Sequence, residues 1–233
     1  MGQPLGSPLP DFRPPPFPQK EVMIGRFCRL EPLDVIRHGE ALFRANSHDT
    51  EGRMWTYLAS GPFESYADYW TLLERQSATA DPSFYAIVDP GTDAAVGVAS
   101  YLRIDPPNGV IEVGHLAFSP LLQHTTAATE AMYIMMERAF RLGYRRYEWK
   151  CHALNAPSRR AALRLGFTFE GIFRQALVVK GRNRDTAWYS VIDREWPRLD
   201  AAYARWLAND NFDAHGRQRS SLSALTAEAT TPR

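Results

Sequence analysis

A stretch of small and polar residues has the composition of an anion-binding loop. It lies between a predicted strand and a predicted helix and reads Leu122-Gln123-His124-Thr125-Thr126-Ala127-Ala128-Thr129. The first N–H groups of a helix lack intrahelical partners and carry the positive end of the helix dipole. A helix that begins here could therefore bind a pyrophosphate. An ordinary Thr-capped helix start explains the same residues, and Glu130 in the first turn weakens the case for an anion.

Three side chains have the chemistry for proton transfer. Glu112 and His115 belong to a predicted strand at 110–118, and Ser158 follows Asn155 at the start of a predicted helix. Strict alternation would place Glu112 and His115 on opposite faces of the strand, whereas a bulge would change that arrangement. Histidine has the better ordinary pKa for accepting a proton near pH 7, and a glutamate becomes competent when burial raises its pKa. Ser158 and Asn155 suit N-terminal capping equally well.

The elements that position these residues are strands and helices in a mixed order. Apolar and alternating runs predict strands at 26–31, 84–88, 96–104, 110–118, 147–151, 167–179 and 186–192. Helical periodicity and capping residues predict helices at 34–46, 65–78, 128–143, 155–166 and 196–207. The third helix has a buried face made of Ala128, Ala131, Met132, Met135, Met136 and Ala139.

The connections between these elements predict the fold class. Short turns join the early strands, which indicates antiparallel pairing. After residue 110 strands alternate with helices, which calls for crossover connections and parallel pairing. We expect an α/β fold in which helices cover both faces of a central twisted mixed sheet.

Composition divides the chain into three parts. Residues 1–20 hold seven of the 17 prolines and are predicted to form an extended or disordered arm. The folded domain is expected at 21–212. Residues 213–233 contain no Phe, Tyr or Trp and many Ser, Thr and Ala, and we predict a disordered tail.

Charge and cysteine content exclude several classes of protein. A net charge of +1 disfavours a nucleic-acid binder. The two cysteines, Cys28 and Cys151, have no metal-ligand spacing, so neither a metal site nor a structural disulfide is expected. The sequence shows neither a signal peptide nor a membrane-spanning run, and we expect a cytoplasmic protein without a membrane partner.

The motifs taken in order resemble those of the GCN5-related N-acetyltransferase (GNAT) superfamily, most closely its RimJ/RimL-like branch of ribosomal-protein N-terminal acetyltransferases. They cover about 25–210 and read Glu112-Val113-Gly114-His115, Phe118-Ser119-Pro120, Gln123-x-x-Thr126-x-Ala128, Asn155-Ala156-Pro157-Ser158-x-Arg160 and Leu165-Gly166-Phe167. Thr126 stands where the family's loop pattern has its first glycine. That replacement makes the backbone N–H there less open to a phosphate.

The resemblance implies acetyl-CoA as the donor and a primary amine as the acceptor. It implies that the strands at 110–118 and 147–151 splay apart around the pantetheine, near the backbone of Leu116, Ala117 and Phe118. The loop at 123–129 would hold the pyrophosphate, with Arg160 and Asn155 as further contacts. Ser158 would be the acid that protonates the leaving thiolate.

The acceptor site is expected opposite the donor, between the loop after the first helix and the last hairpin. Its candidate walls are Trp55, Tyr57, Arg53, Arg182 and Arg184. Leu177 occupies the position at which some relatives carry a glutamate base, so Glu112, slightly preferred, and His115 are the candidate bases. Deprotonation through water without a dedicated base is a third alternative.

The sequence therefore predicts an acetyl-CoA-dependent N-acetyltransferase that acts by direct attack in a ternary complex, on a protein N-terminus or a small amine. No cysteine is expected in the site, which disfavours an acyl-enzyme. The alternative is a non-catalytic CoA-binding or interaction module of the same fold. A homodimer is expected from the branch, and RNA binding through the basic residues at 138–150 is less expected.

Overall fold

One mixed sheet forms the centre of the molecule. The computed structural model describes residues 2–230, and within them the sheet has eight strands in the order β1-β2-β3-β4-β5-β6-β8-β7. They are β1 Met23–Ile24, β2 Arg29–Pro32, β3 Ser83–Val88, β4 Ala95–Asp105, β5 Val110–Phe118, β6 Arg146–His152, β7 Thr168–Val179 and β8 Arg182–Ile192. The strand predicted at 26–31 begins only at Arg29, because residues 25–28 form a turn, and the short β1 that this turn pairs with β2 was not predicted.

Six α-helices accompany the sheet in the described residues. They are α1 Val35–Asn46, α2 Tyr66–Ala78, α3 Thr126–Arg141, α4 Ala156–Arg164, α5 Trp196–Leu207 and α6 Leu222–Thr230. Side chains cap the first four: Asp34, Ser65, Thr125 and Asn155 each accept a hydrogen bond from a backbone N–H in the first turn. Local capping chemistry therefore explains where these helices begin.

Strand pairing follows the predicted pattern only in part. Neighbours are antiparallel except β5 and β6, which pair in parallel through the α3 crossover. The parallel pairing predicted for the next crossover is wrong. β8 lies between β6 and β7 and pairs antiparallel with both, because the β7–β8 hairpin folds back along β6.

Helices cover both faces of the sheet and form two hydrophobic cores. α1 and α2 pack on one face, with Leu42 and Leu73 buried against β3 and β4. α3 and α5 pack on the other face, where Met135, Met136 and Tyr203 are buried. The predicted mixed α/β architecture is confirmed, and the methionine stripe belongs to the core.

The N-terminal arm is extended and lies against the domain. Tyr144 donates a hydrogen bond to the Pro16 carbonyl at 3.2 Å, and the buried Arg138 donates to the Gln19 carbonyl. Pro15 and Pro18 are buried. The arm therefore supplies backbone acceptors to Tyr144 and to Arg138, which also donates to the Tyr85 hydroxyl.

The prediction of a disordered tail at 213–233 is wrong for residues 222–230. They form α6, whose Leu222, Leu225, Thr226 and Ala229 are buried in the core beneath α4 and α5. These residues recur at helical spacing and form the buried face of α6. The end of the predicted tail, 231–233, and Met1 lie outside the described residues.

Candidate active site

The central feature of the candidate site is a gap between β5 and β6. The two strands pair only from Val110–Arg146 to Val113–Trp149. Beyond that point they diverge, and the backbone groups of Gly114–Phe118 that face β6 have no strand partner. This is the splaying that the family resemblance implies, and its edge includes Leu116, Ala117 and Phe118.

A bulge in β5 brings the two candidate bases to one face. Gly114 lies opposite Ser100 and Ala117 opposite Val98, so His115 and Leu116 together face a single residue of β4. His115 takes a φ of +50°, which is uncommon for a residue with a Cβ. The bulge changes the strict alternation of side chains along β5. Glu112 and His115 therefore both lie on the face of the sheet that α1 and α2 cover.

The His115 imidazole is oriented by Ser100. Its Nδ1 lies 2.9 Å from Ser100 Oγ, and Ser100 Oγ donates to the Gly114 carbonyl at 3.1 Å. Ser100 has one hydroxyl hydrogen and the carbonyl can only accept, so Nδ1–H donates to Ser100 and Nε2 keeps its lone pair. Partial desolvation, then the charges of Arg103 and Arg184, lower the pKa of His115. A neutral imidazole with a free lone pair can act as a base.

Glu112 is held by two cations. Its Oε2 lies 2.6 Å from Arg103 Nη1 and 3.0 Å from Lys150 Nζ, and its side chain is 4% exposed. Burial raises the pKa of Glu112, although Lys150 and Arg103 oppose that shift. Both ion pairs would have to rearrange before this carboxylate could accept a proton from a substrate.

The start of α4 lies on the other side of the gap. The Asn155 side chain accepts from the Ser158 backbone N–H at 3.1 Å, so Asn155 is the cap. Ser158 Oγ accepts from Trp149 Nε1 at 3.1 Å, which leaves its own hydrogen for another acceptor. Arg160 is exposed and has no intramolecular partner among residues 2–230.

A cysteine does lie beside Ser158, contrary to the prediction that the site contains none. Cys151 on β6 is 5% exposed and interacts with the Ser158 hydroxyl. Burial raises the pKa of the Cys151 thiol, more than Ser158 lowers it. A protonated thiol is a poor nucleophile, so its environment still disfavours an acyl-enzyme.

The predicted anion-binding loop ends in an open helix terminus. Thr125 Oγ1 accepts from the Ala128 N–H at 3.1 Å, whereas the N–H groups of Thr126 and Ala127 have no partner in the part of the chain that is described. His124 is exposed with a φ of +61°, and Gln123 donates to the Phe118 carbonyl at 2.7 Å. The loop is thereby tied to the end of β5.

Two of the residues near this helix end have structural partners. Thr129 is buried, and its hydroxyl accepts from Arg164 Nη1 at 3.0 Å. The Glu130 carboxylate accepts from the backbone N–H groups of residues 26–28 at 2.6 to 3.0 Å. Because those donors solvate its charge, Glu130 opposes an anion at the helix end less than the sequence indicated.

The predicted acceptor walls come together in part. Lys180, at the tip of the β7–β8 hairpin, donates to the carbonyls of Trp55 and Gly61 at 3.0 and 2.8 Å. The hairpin thereby holds the loop at 53–61. Trp55 and His115 line one cavity of about 50 Å³, and Tyr57 donates to the Leu154 carbonyl beside α4 at 3.1 Å. We call the space between this loop, β5 and β8 the acceptor groove.

The three predicted arginines have different positions. Arg53 is exposed and paired with Glu51 at 2.6 Å, and Arg182 is exposed near the hairpin tip. Arg184 is half-buried on β8. Desolvation is the main cause that lowers the pKa of His115 and of His152, and the positive charge of Arg184 lowers both pKa values further. Of the three arginines, only Arg184 interacts electrostatically with His115 in the acceptor groove.

Sequence reasoning did not identify several residues that organise the site. They are Ser100, Arg103, Trp149, Lys150, Lys180, Thr186 and Trp188. The alternation of β8 could have placed Arg184, Thr186 and Trp188 on one face. The partners of the other residues depend on long-range strand register, which has no local signal.

None of the helices in the described part of the chain combines the length and the apolar character needed to cross a membrane. No group of three or more His, Cys, Asp or Glu side chains in residues 2–230 is arranged to hold a metal ion.

Comparison with known proteins identifies related chains. A family model described as an acetyltransferase (GNAT) domain matches residues 29–168. Among curated proteins, the ribosomal-protein-serine acetyltransferase of Escherichia coli is 30% identical over 105 residues, which are 44% of this chain and 58% of that protein.

Two solved structures are similar over most of the chain. A GCN5-related N-acetyltransferase from Brucella melitensis is 47% identical, with a TM-score of 0.92, over 94% of this chain and 100% of that one. An acetyltransferase of the GNAT family from Chromobacterium violaceum is 42% identical, with a TM-score of 0.78, over 84% of this chain and 98% of that one. These likenesses support the resemblance that the motifs suggested.

Proposed function

Because the chain belongs to the acetyltransferase (GNAT) family, we propose that it transfers the acetyl group of acetyl-CoA to a primary amine by direct attack in a ternary complex. The observation that carries the proposal is the gap between β5 and β6. It opens between the free helix end of α3 on one side and the side chains of the acceptor groove on the other. A thioester lying in the gap would be accessible to an amine in the groove.

We propose that the donor is held mainly by backbone groups. The free N–H groups of Thr126 and Ala127 suit a pyrophosphate, and the unpaired edge of β5 at 116–118 suits the pantetheine amides. Gln123, His124, Thr125 and Ala128 shape this end of α3, and Arg160 is available for a further phosphate. The Thr129 hydroxyl accepts from Arg164, so we propose that it supports the helix end and does not contact acetyl-CoA.

His115 is the better supported base. Its Nε2 is free, its pKa is lowered so that it is neutral near pH 7, and it lies in the acceptor groove. Glu112, in contrast, is neutralised by Arg103 and Lys150. We infer that His115 accepts the amine proton and that Glu112 fixes the surrounding cations.

Ser158 is proposed as the acid. Trp149 occupies one lone pair of its oxygen and orients the hydroxyl. As the amine forms its bond to the acetyl carbon and the C–S bond breaks, Ser158 can donate its proton to the CoA thiolate. The thiolate is a weak base, so this assistance is modest.

The reaction order is the direct test of this function. Purified protein is assayed with acetyl-CoA and a panel of amines by release of the CoA thiol, with both substrates varied. We expect release that depends on the amine and intersecting double-reciprocal lines. Parallel lines, with an acetyl group on Cys151 detected by mass spectrometry, would overturn direct attack. CoA binding without transfer to any amine would favour a non-catalytic module.

We also propose that the protein forms a homodimer through β7. This strand lies at the edge of the sheet, and Ile172, Phe173, Leu177 and Val178 are exposed along it. An exposed apolar edge strand is a template for pairing with a second chain. Antiparallel pairing of β7 with its copy would bury these side chains around a two-fold axis.

A further inference from the structure

Arg184 is a half-buried cation without a counter-ion among the described residues. Its Nε is buried and has no hydrogen-bond partner. The nearby Glu112 is already paired with Arg103 and Lys150. The adjacent Asp185 accepts instead from Gln175 and Asn183. Holding a guanidinium partly away from water without a partner is unfavourable, so an anion supplied from outside would explain its position.

Two more unpaired donors follow Arg184 on the same face of β8. The Thr186 hydroxyl and the Trp188 Nε1–H are buried and have no hydrogen-bond partner. Thr186 is only 4% exposed, and its neighbour Ala187 packs into the opposite core. Of the six such side-chain atoms in residues 2–230, three lie at these alternate positions. Buried polar groups are normally paired, so their concentration at one place indicates a ligand.

These donors adjoin the acceptor groove. Thr186 is paired across the sheet with His152, whose ring lies 5.1 Å from that of Tyr57. The charge of Arg184 acts on His115, the proposed base. Lys150 lies 3.6 Å above the Trp188 ring, which adds a second cation to the same region. The unpaired groups can therefore contact an acceptor whose amine approaches His115.

We propose that the acceptor carries a carboxylate close to its amine, and that Arg184, Thr186 and Trp188 bind this carboxylate. The inference rests on the proposed acetyl transfer. All three groups can donate hydrogen bonds, and a carboxylate can accept from each of them while it neutralises Arg184. A neutral or polycationic amine would leave the guanidinium uncompensated. The carboxylate could come from a free α-amino acid or from an aspartate or glutamate at the N-terminus of a peptide.

Matched pairs of ligands test the proposal. Each free amino acid is compared with its carboxamide, and amidated peptides that begin with Asp or Glu are compared with those that begin with Asn or Gln. Binding to the protein–CoA complex is measured by calorimetry, and kcat/KM for acetylation is corrected for the fraction of neutral amine. Binding addresses the carboxylate preference even if turnover is absent, whereas turnover addresses the proposed function.

We expect the carboxylate member to bind at least tenfold more tightly in one of the two series, which identifies its source. Arg184→Gln should weaken that member by about 10–100-fold and leave its amide unchanged. Thr186→Val should weaken it by several-fold without lowering the melting temperature, because the variant removes an unpaired hydroxyl. Arg194→Gln, an exposed arginine just beyond the other end of β8, is the matched control and should change neither.

Equal affinity of the wild-type complex for carboxylate and amide members in both series would overturn the inference. Equal losses for both members in Arg184→Gln would do so too, because the arginine would then have a structural role. Arg184→Lys separates charge from geometry and should recover part of the preference.

Discussion

At the scale of the residue, the hydroxyl of Ser100 determines which His115 nitrogen can accept a proton. Ser100 receives Nδ1–H and passes its own hydrogen to the Gly114 carbonyl. Ser100 is thus a positioning residue, and His115 is the group that would meet the amine. The bulge that turns His115 toward the groove and the hydroxyl that orients it belong to neighbouring strands.

A pH profile tests this pair. Because the pKa of His115 is lowered, its base form is present above that pKa, and the acidic limb of kcat/KM should lie below about 6.5. His115→Ala should remove the limb and lower kcat by about 10²–10⁴-fold. Ser100→Ala should reduce kcat less, with unchanged CoA affinity. Retention of the same limb in His115→Ala would assign the base elsewhere, with Glu112→Gln as the next variant.

Ser158 and Asn155 separate catalysis from capping. Ser158→Ala should lower the single-turnover rate by about tenfold to a hundredfold, at the low end of acid–base effects, while the CoA dissociation constant stays within a few-fold. Asn155→Ala removes the cap and should cost about 0.5–2 kcal/mol of folding free energy. Denaturant unfolding and single-turnover kinetics on the same preparations distinguish them. An unchanged rate in the folded Ser158→Ala variant would show that Ser158 is not the acid.

At the scale of the element, the N-terminus of α3 is predicted to hold the pyrophosphate. Ala128→Asp places a negative charge at this helix end and should weaken CoA binding about tenfold, equivalent to about 1.4 kcal/mol. Ala128→Asn is the matched control, with nearly the same shape and no charge. Calorimetry with CoA measures both. Equal affinities of the two variants would argue against a phosphate beside Ala128.

The C-terminal helix α6 is predicted to stabilise the domain. Leu225 is buried, and Thr226 on the same helix donates to the Arg164 carbonyl at 3.1 Å. Leu225→Ala should lower the free energy of unfolding by about 2–5 kcal/mol, as for other buried leucines. The exposed Ser223 gives the control, and Ser223→Ala should leave stability nearly unchanged. Equal midpoints in denaturant would mean that α6 does not pack in solution.

At the scale of the whole molecule, the edge strand β7 is predicted to mediate dimerisation. Val178 is 80% exposed, so Val178→Glu should leave the fold of each chain intact while it places a charge among the apolar side chains of the proposed interface. Sedimentation equilibrium should show a dimer for the wild type and a monomer for the variant. Exposed Thr168→Glu, at the start of the same strand and away from Val178, should dissociate the dimer less. A monomeric wild type would exclude this interface.

The sequence by itself determined the elements whose signals are local. The range Val110–Phe118 of β5 and the range Trp196–Leu207 of α5 match their predictions, and Asp34, Ser65 and Asn155 cap helices near the predicted starts. Apolar periodicity and capping act over a few residues, so they can be read from the chain. The ordered motifs from 112 to 167 likewise indicated the family.

Only the tertiary structure decided how the candidate site is assembled. The bulge at His115, the two cations on Glu112, the Lys180 contacts with the loop at 53–61, and the position of β8 between β6 and β7 all depend on contacts between distant segments. A positive φ at a residue with a Cβ is locally unfavourable and persists only where surrounding contacts enforce it. α6 was missed for a related reason, because its small apolar face becomes a helix face only when α4 and α5 bury it.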